Sequence, residues 1–270
     1  MSYSAPERLL RSLGIERPEE IDLEAVAWSV GAKVKYRPLK SCEARICGCG
    51  DKAIISVDNT KIPQRRRFSV AHEIGHWTYH RGQLLVCRSS DIGSFGGFRK
   101  GATSPEFVAD QFASELLLPA YILAPVLSQY KSLNLKTVGE IAGAFKASRT
   151  ATAIRLVQSN RFHAMLVCHG QKGRRWFLRP PCVPDHWFPR DELDRESYAF
   201  ETLYGSKVEQ ARPRKIDADA WFDRRGAERY QIFEHTFPLP NDEILTLLTF
   251  TDAEMMDERD SSSVYRRRDH

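Results

Sequence analysis

The chain has 270 residues, 42% of them hydrophobic, which is enough to bury a sizeable core and to build two domains. No apolar run approaches the ~20 residues of a membrane span, and the first residues hold no signal-peptide apolar core, so cytoplasmic residence without membrane contact is expected. A net charge of +5, much of it from scattered arginines, permits an acidic or nucleic-acid partner without requiring either.

Ser4-Ala5-Pro6-Glu7 has the form of a capping box and predicts a short helix to about Leu13, closed by Gly14. A second amphipathic helix is expected over 22–30, ended by Gly31. Strands follow at 32–36, 44–49 and 53–57, the last two joined by a turn at Gly50-Asp51. The edge strand of such a sheet can hold an extended peptide by main-chain hydrogen bonds, and whether 54–57 is edge or interior stays open. Of the six cysteines, Cys42, Cys47, Cys49 and Cys87 follow no structural-zinc spacing, and free thiols in strands are expected. Cys168 and Cys182 stand alone.

His72-Glu73-Ile74-Gly75-His76 is the stretch that speaks of chemistry. On a helix, residues four apart share a face, so both imidazoles project toward one point. Neutral imidazole ligates zinc, and Glu73 beside the pair can take a proton from activated water. The flanks contain no proline, and Val70, Ile74 and Trp77 form an apolar stripe that can face a core while the histidines face a cleft. HExxH alone also occurs in proteins without metal, as a solvated helix face.

The segment 104–113 adds the missing donors. Ser104 as N-cap and Pro105 in the first turn open a helix that sets Glu106 and Asp110 four residues apart on one face. A catalytic zinc site takes three protein ligands and keeps one position open. Glu106 can be the third ligand, and Asp110 can accept the free ring N–H of a ligating histidine. Glu115 lies nine positions on, about two and a half turns, and points away as an ordinary surface carboxylate.

Residues 65–76, Glu106 through Asp110, Phe112-Ala113 and 115–119 together resemble the ImmA/IrrE metallopeptidases, specifically over about 53–119. The resemblance implies a gluzincin-like fold with His72, His76 and Glu106 as metal ligands and Glu73 as catalytic base. It implies a protein substrate as well, a helix-turn-helix repressor whose cleavage releases stress-response or mobile-element genes. The loop 83–103 is longer than the family pattern and would shape the substrate cleft. Zinc is the expected metal, with manganese as an alternative, since His/Glu ligation suits several divalent ions. A second oxyanion donor is expected, and Tyr79 and His80 are its neighbours in sequence.

Beyond Pro119 the pattern stays helical over 121–130, where Pro125 can kink the helix. Residues 137–146 and 147–158 read as a helix-turn-helix pair. Arg149 and Thr150 would enter a major groove if it read DNA, but packing or substrate docking is the better reading. From Arg161 the pattern turns to short apolar runs at 162–167, 174–178, 231–237 and 244–250, punctuated by prolines. Trp176, Trp187, Phe188 and Trp221 are expected in a core, and His163, His169, His186 and His235 form no ligand spacing.

The expected class is therefore α+β. Its parts are a zincin-like peptidase domain at 1–130 with a small sheet and an active-site helix, and a helix-turn-helix-like segment at 131–160. A mixed α/β domain with an antiparallel sheet, regulatory by analogy, follows at 161–251, and a disordered tail at 252–270. Two other readings remain at this point: a non-proteolytic DNA-binding regulator, and a toxin–antitoxin component that binds a partner without cutting it.

Overall fold

In the computed structural model, which describes residues 3–40, 42–81, 104–205 and 208–257, helix α1 (Ala5–Ser12) begins just after Ser4. Glu7 supplies its half of the capping box by accepting the Ser4 N–H at 3.0 Å. Its other carboxylate oxygen accepts the Ala120 N–H at 2.8 Å, so one buried glutamate caps two helix starts far apart in sequence. Helix α2 (Leu23–Ser29) is capped by Asp22, which accepts from Glu24 N–H at 2.9 Å and Ala25 N–H at 3.2 Å. Gly31 ends it at φ +84°, where a Cβ would also lie 2.3 Å from the Asp51 carbonyl oxygen.

Strands β1 (Ala32–Arg37), β2 (Ala44–Cys49) and β3 (Lys52–Asp58) form a sheet ordered β1-β3-β2. β1 runs parallel to β3 and β2 antiparallel to it. The question left open by the sequence resolves toward the interior: β3 is the central strand, and β1 and β2 are the edges among the described residues. One face, with Ala32, Ala44, Ala53, Ile55 and Val57, is buried, and the sheet packs there against α3 (Pro63–Tyr79).

Every residue of α3 from Phe68 to Trp77 is buried. The single apolar stripe expected of this helix is therefore too narrow a description. The sheet covers one side and α4 (Pro105–Leu117) another, so polar and apolar positions alike are enclosed. Close approach of α4 depends on Gly75, where a Cβ would sit 3.1 Å from both Ala109 Cα and Phe112 Cβ. Helix α5 (Ala120–Leu127) carries Pro125 within its last turn. α6 (Leu135–Phe145) and α7 (Arg149–Gln158) form the helix pair expected here, turned at Lys146, which has φ +52°.

The chain divides into two compact units, Met1–Lys131 with Lys136–Arg155, and Ser132–Leu135 with Leu156–His270. Most of the helix pair falls in the first unit. In the second unit, β4 (Ala164–Gly170), β5 (Gly173–Leu178), β6 (Arg214–Asp217), β7 (Gln231–Leu239) and β8 (Glu243–Phe250) form an antiparallel sheet ordered β5-β4-β8-β7-β6. Helix α8 (Tyr198–Tyr204) packs on β7 and β8. Trp187, Trp221, Phe222, Ile232, Leu248 and Phe250 lie in its core. Phe188 is exposed instead, stacked edge-on with Phe177.

Residues 252–257, expected within a disordered tail, are ordered. Asp252 caps a 3-10 turn over Ala253–Met256, Met255 is buried, and the Trp187 indole donates to the Met255 carbonyl at 2.6 Å. Residues 258–270, and the long loop at 83–103, lie outside the described residues.

Candidate metal centre

The histidines of α3 and the carboxylates of α4 converge. His72 Nε2 and His76 Nε2 are 3.0 Å apart, and Glu106 Oε2 lies 3.1 Å from the first and 3.4 Å from the second. One ligand atom from each of these residues falls within 4.8 Å of the other two. A tetrahedral ion bonded at ~2.0–2.1 Å wants its donors about 3.3 Å apart, so the donor set fits a zinc-sized cation as it stands. Both imidazoles are buried, while Glu106 and Asp110 are partly exposed at the mouth.

The outer nitrogens of both rings are held. His72 Nδ1 sits 2.8 Å from Asp110 Oδ1, and His76 Nδ1 sits 3.1 Å from His80 Nδ1. Burial and the neighbouring His76 push the His80 pKa down, so a neutral His80 can accept the His76 Nδ1–H. Each arrangement puts the proton on Nδ1 and turns the Nε2 lone pair toward the cluster. Burial alone would strip a proton from His72, but hydrogen bonds with Asp110 and Glu106 outweigh it and raise the pKa to about 9. Burial opposes ionisation of Glu106 too, yet His72 and His76 hold its carboxyl far below the usual carboxylate range. The surroundings of the two imidazoles therefore favour positive charge, as a cation site requires.

Glu73 is fully buried on the same helix and close enough to His72 to favour the charged imidazole. The other residues singled out by the sequence fall elsewhere. Glu115 accepts from Gln111 Nε2 at 3.0 Å on the outer side of α4. Tyr79 is half-exposed with its ring edge-on to Phe112. His80 is in contact with the site through His76, and this partnership is what its spacing of four residues allowed but did not establish. Sequence reasoning missed Gly75, whose signal was only a glycine inside a helix that has no propensity reason for one. Of the cysteines, Cys42 is buried, Cys47 and Cys49 are exposed on β2, and Cys87 lies outside the described residues.

Comparison with known proteins agrees with this geometry. The family of IrrE N-terminal-like domains, Peptidase M78, matches residues 25–157, which span the sheet, α3, α4 and the helix pair. No curated protein matches the chain. Among solved structures, a Mycobacterium tuberculosis transcriptional regulator superposes with a TM-score of 0.59 at 14% identity, over 91% of this chain and 75% of that one. At that identity the likeness speaks of fold alone.

Proposed function

Because the chain belongs to the ImmA/IrrE family through its M78 metallopeptidase domain, we propose that it is a cytoplasmic zinc-dependent endopeptidase. Its proposed substrate is a helix-turn-helix repressor, whose cleavage derepresses stress-response or mobile-element genes. The observation that carries the reading is the convergence of His72, His76 and Glu106 within 4.8 Å, beside the buried Glu73. His72, His76 and Glu106 would hold the ion, and manganese is the alternative to zinc. When bound, such an ion supplies Lewis acidity, which polarises a carbonyl and acidifies water.

The remaining work falls to the chain. Glu73 takes the proton from the attacking water and returns it to the leaving amine nitrogen. Asp110 and His80 keep both imidazoles in one tautomer and orientation, so no reorganisation is needed at the moment of reaction. Among the described residues β1 and β2 are the edges of the sheet, and an extended segment of substrate can lie along one of them.

The test is incubation of purified protein with a candidate repressor, followed by mass spectrometry of the products. Glu73→Gln is expected to keep its metal and to lose cleavage by ~10²–10⁴-fold, the usual worth of a general base. Cleavage at the wild-type rate by that variant would remove Glu73 from the mechanism.

A further inference from the structure

The small sheet has a second face, turned away from α3, and its exposed charges are all positive. Side chains alternate across a strand, so the register that buries Ala53, Ile55 and Val57 puts Lys52 and Ile54 on the other face, exposed, with Ser56 and Asp58 buried at its far end. On that face Lys33 of β1 and Cys47 of β2 flank Ile54, Cys49 is paired with Lys52, Lys35 and Arg45 flank Ser56, and Arg37 is paired with Asp58. The basic residues, both cysteines and Ile54 are exposed. Among the described residues no carboxylate forms an ion pair with Lys33, Lys35, Arg37, Arg45 or Lys52; Arg37 bonds the Ser56 hydroxyl, and the nearby Asp51 pairs with Arg81.

Trp28, at the end of α2, stands at the border of this face and is 70% exposed. With Lys33, Cys47, Cys49, Lys52 and Ile54 it lines a shallow groove of about 580 Å³. Residues 82–103 carry Asp91 against Arg88, Arg99 and Lys100, and residues 258–270 are also net basic. A polyanion is the partner complementary to these exposed bases.

We propose that this face binds single-stranded nucleic acid. The charges stand in rows about 5 Å apart across the strands and about 7 Å apart along them, a grid that can follow a phosphate backbone over several nucleotides. The exposed indole at its border is a stacking platform for a base, which an acidic peptide would not use. A flat basic sheet with an aromatic group is the arrangement by which sheet-surface modules hold unpaired strands. The face is separate from the histidine cluster on α3, so this assignment stands or falls independently of the peptidase reading.

The test is fluorescence anisotropy of the full chain with a labelled oligothymidylate of about 20 nucleotides over a salt series. Binding is expected to weaken with salt at a slope near −3 in log K against log salt, from about −0.7 per phosphate contacted. Combined Lys33→Gln, Lys35→Gln, Arg45→Gln and Lys52→Gln should cut affinity at least ~tenfold and flatten the slope to about −1. The same number of charges removed elsewhere (Lys172, Arg195, Arg212 and Lys215 to Gln) should leave both nearly unchanged. Trp28→Ala should weaken binding by roughly tenfold and abolish quenching of tryptophan emission by the oligonucleotide. Unaltered affinity and slope in the sheet-face variant, with its fold verified by circular dichroism, would overturn the proposal. Equal displacement of the oligonucleotide by polyglutamate would overturn it as well, in favour of an acidic protein partner.

Discussion

His72 and Asp110 illustrate how much of a metal site lies outside its ligands. The 2.8 Å contact between them fixes which ring nitrogen keeps its proton. Asp110→Ala should lower metal affinity by ~10–100-fold, read by competition with a chromogenic chelator, because the ring loses its orientation and basicity. Glu115→Ala, on the outer side of the same helix, should leave affinity within error. Equal losses in both would mean that Asp110 acts only through helix stability. His76→Ala removes a ligand outright and should abolish both metal retention and cleavage. At this scale the sequence was informative wherever helical spacing alone brings groups together: His72 with His76, and Glu106 with Asp110. That the two pairs face each other is a tertiary fact. The N-cap signal at Ser104 fixed the phase of α4, with the hydroxyl accepting the Phe107 N–H at 3.2 Å, but not the neighbour against which it packs.

Helices α3 and α4 are the elements on which the cluster depends, and Gly75 sets their separation. Gly75→Val places a branched side chain against the backbone of Ala109, where nothing flexible can yield. The cost should be ~1–3 kcal/mol by urea unfolding, and metal affinity should fall with it because Glu106 rides on the displaced helix. Unchanged stability with unchanged metal binding would show that the helices can part without consequence. Long elements with strong punctuation were legible here: α1 by Glu7, α2 by Asp22 and Gly31, the β2–β3 hairpin by its glycine turn. Others were not. β6 is four residues, Arg-Lys-Ile-Asp, and carries too little apolar signal to stand out before β7 pairs with it. The even burial of α3 was hidden because enclosure on several sides depends on partners, not on its own period.

Across the whole molecule, the second unit carries titratable groups with no part in the cluster. His169 is buried on β4 with its ring edge-on to Trp221, and burial lowers its pKa to about 4 despite nearby backbone groups of Arg190 and Asp191. The unfolded chain titrates near 6.5, so it takes up a proton first as pH falls. Stability from neutral His169 is full above pH ~6.5 and is lost between there and about pH 4, amounting to roughly 3 kcal/mol in all. Buried Glu234, bonded to the Trp221 indole at 3.0 Å and shifted upward by burial, acts in the opposite sense at low pH. Comparison with His169→Leu isolates the histidine: the variant should lose about 2 kcal/mol less than wild type between pH 7 and pH 5, by denaturant unfolding followed through tryptophan emission. Parallel pH profiles would mean that water reaches the ring. The central claim remains the metal centre in the first unit, and X-ray absorption at the zinc edge on purified protein tests it most directly. One zinc per chain, coordinated by two imidazoles and a carboxylate and lost in Glu106→Ala, is the predicted result. A sulfur-ligated zinc, or a chain that binds no divalent ion when the metal is supplied, would contradict it.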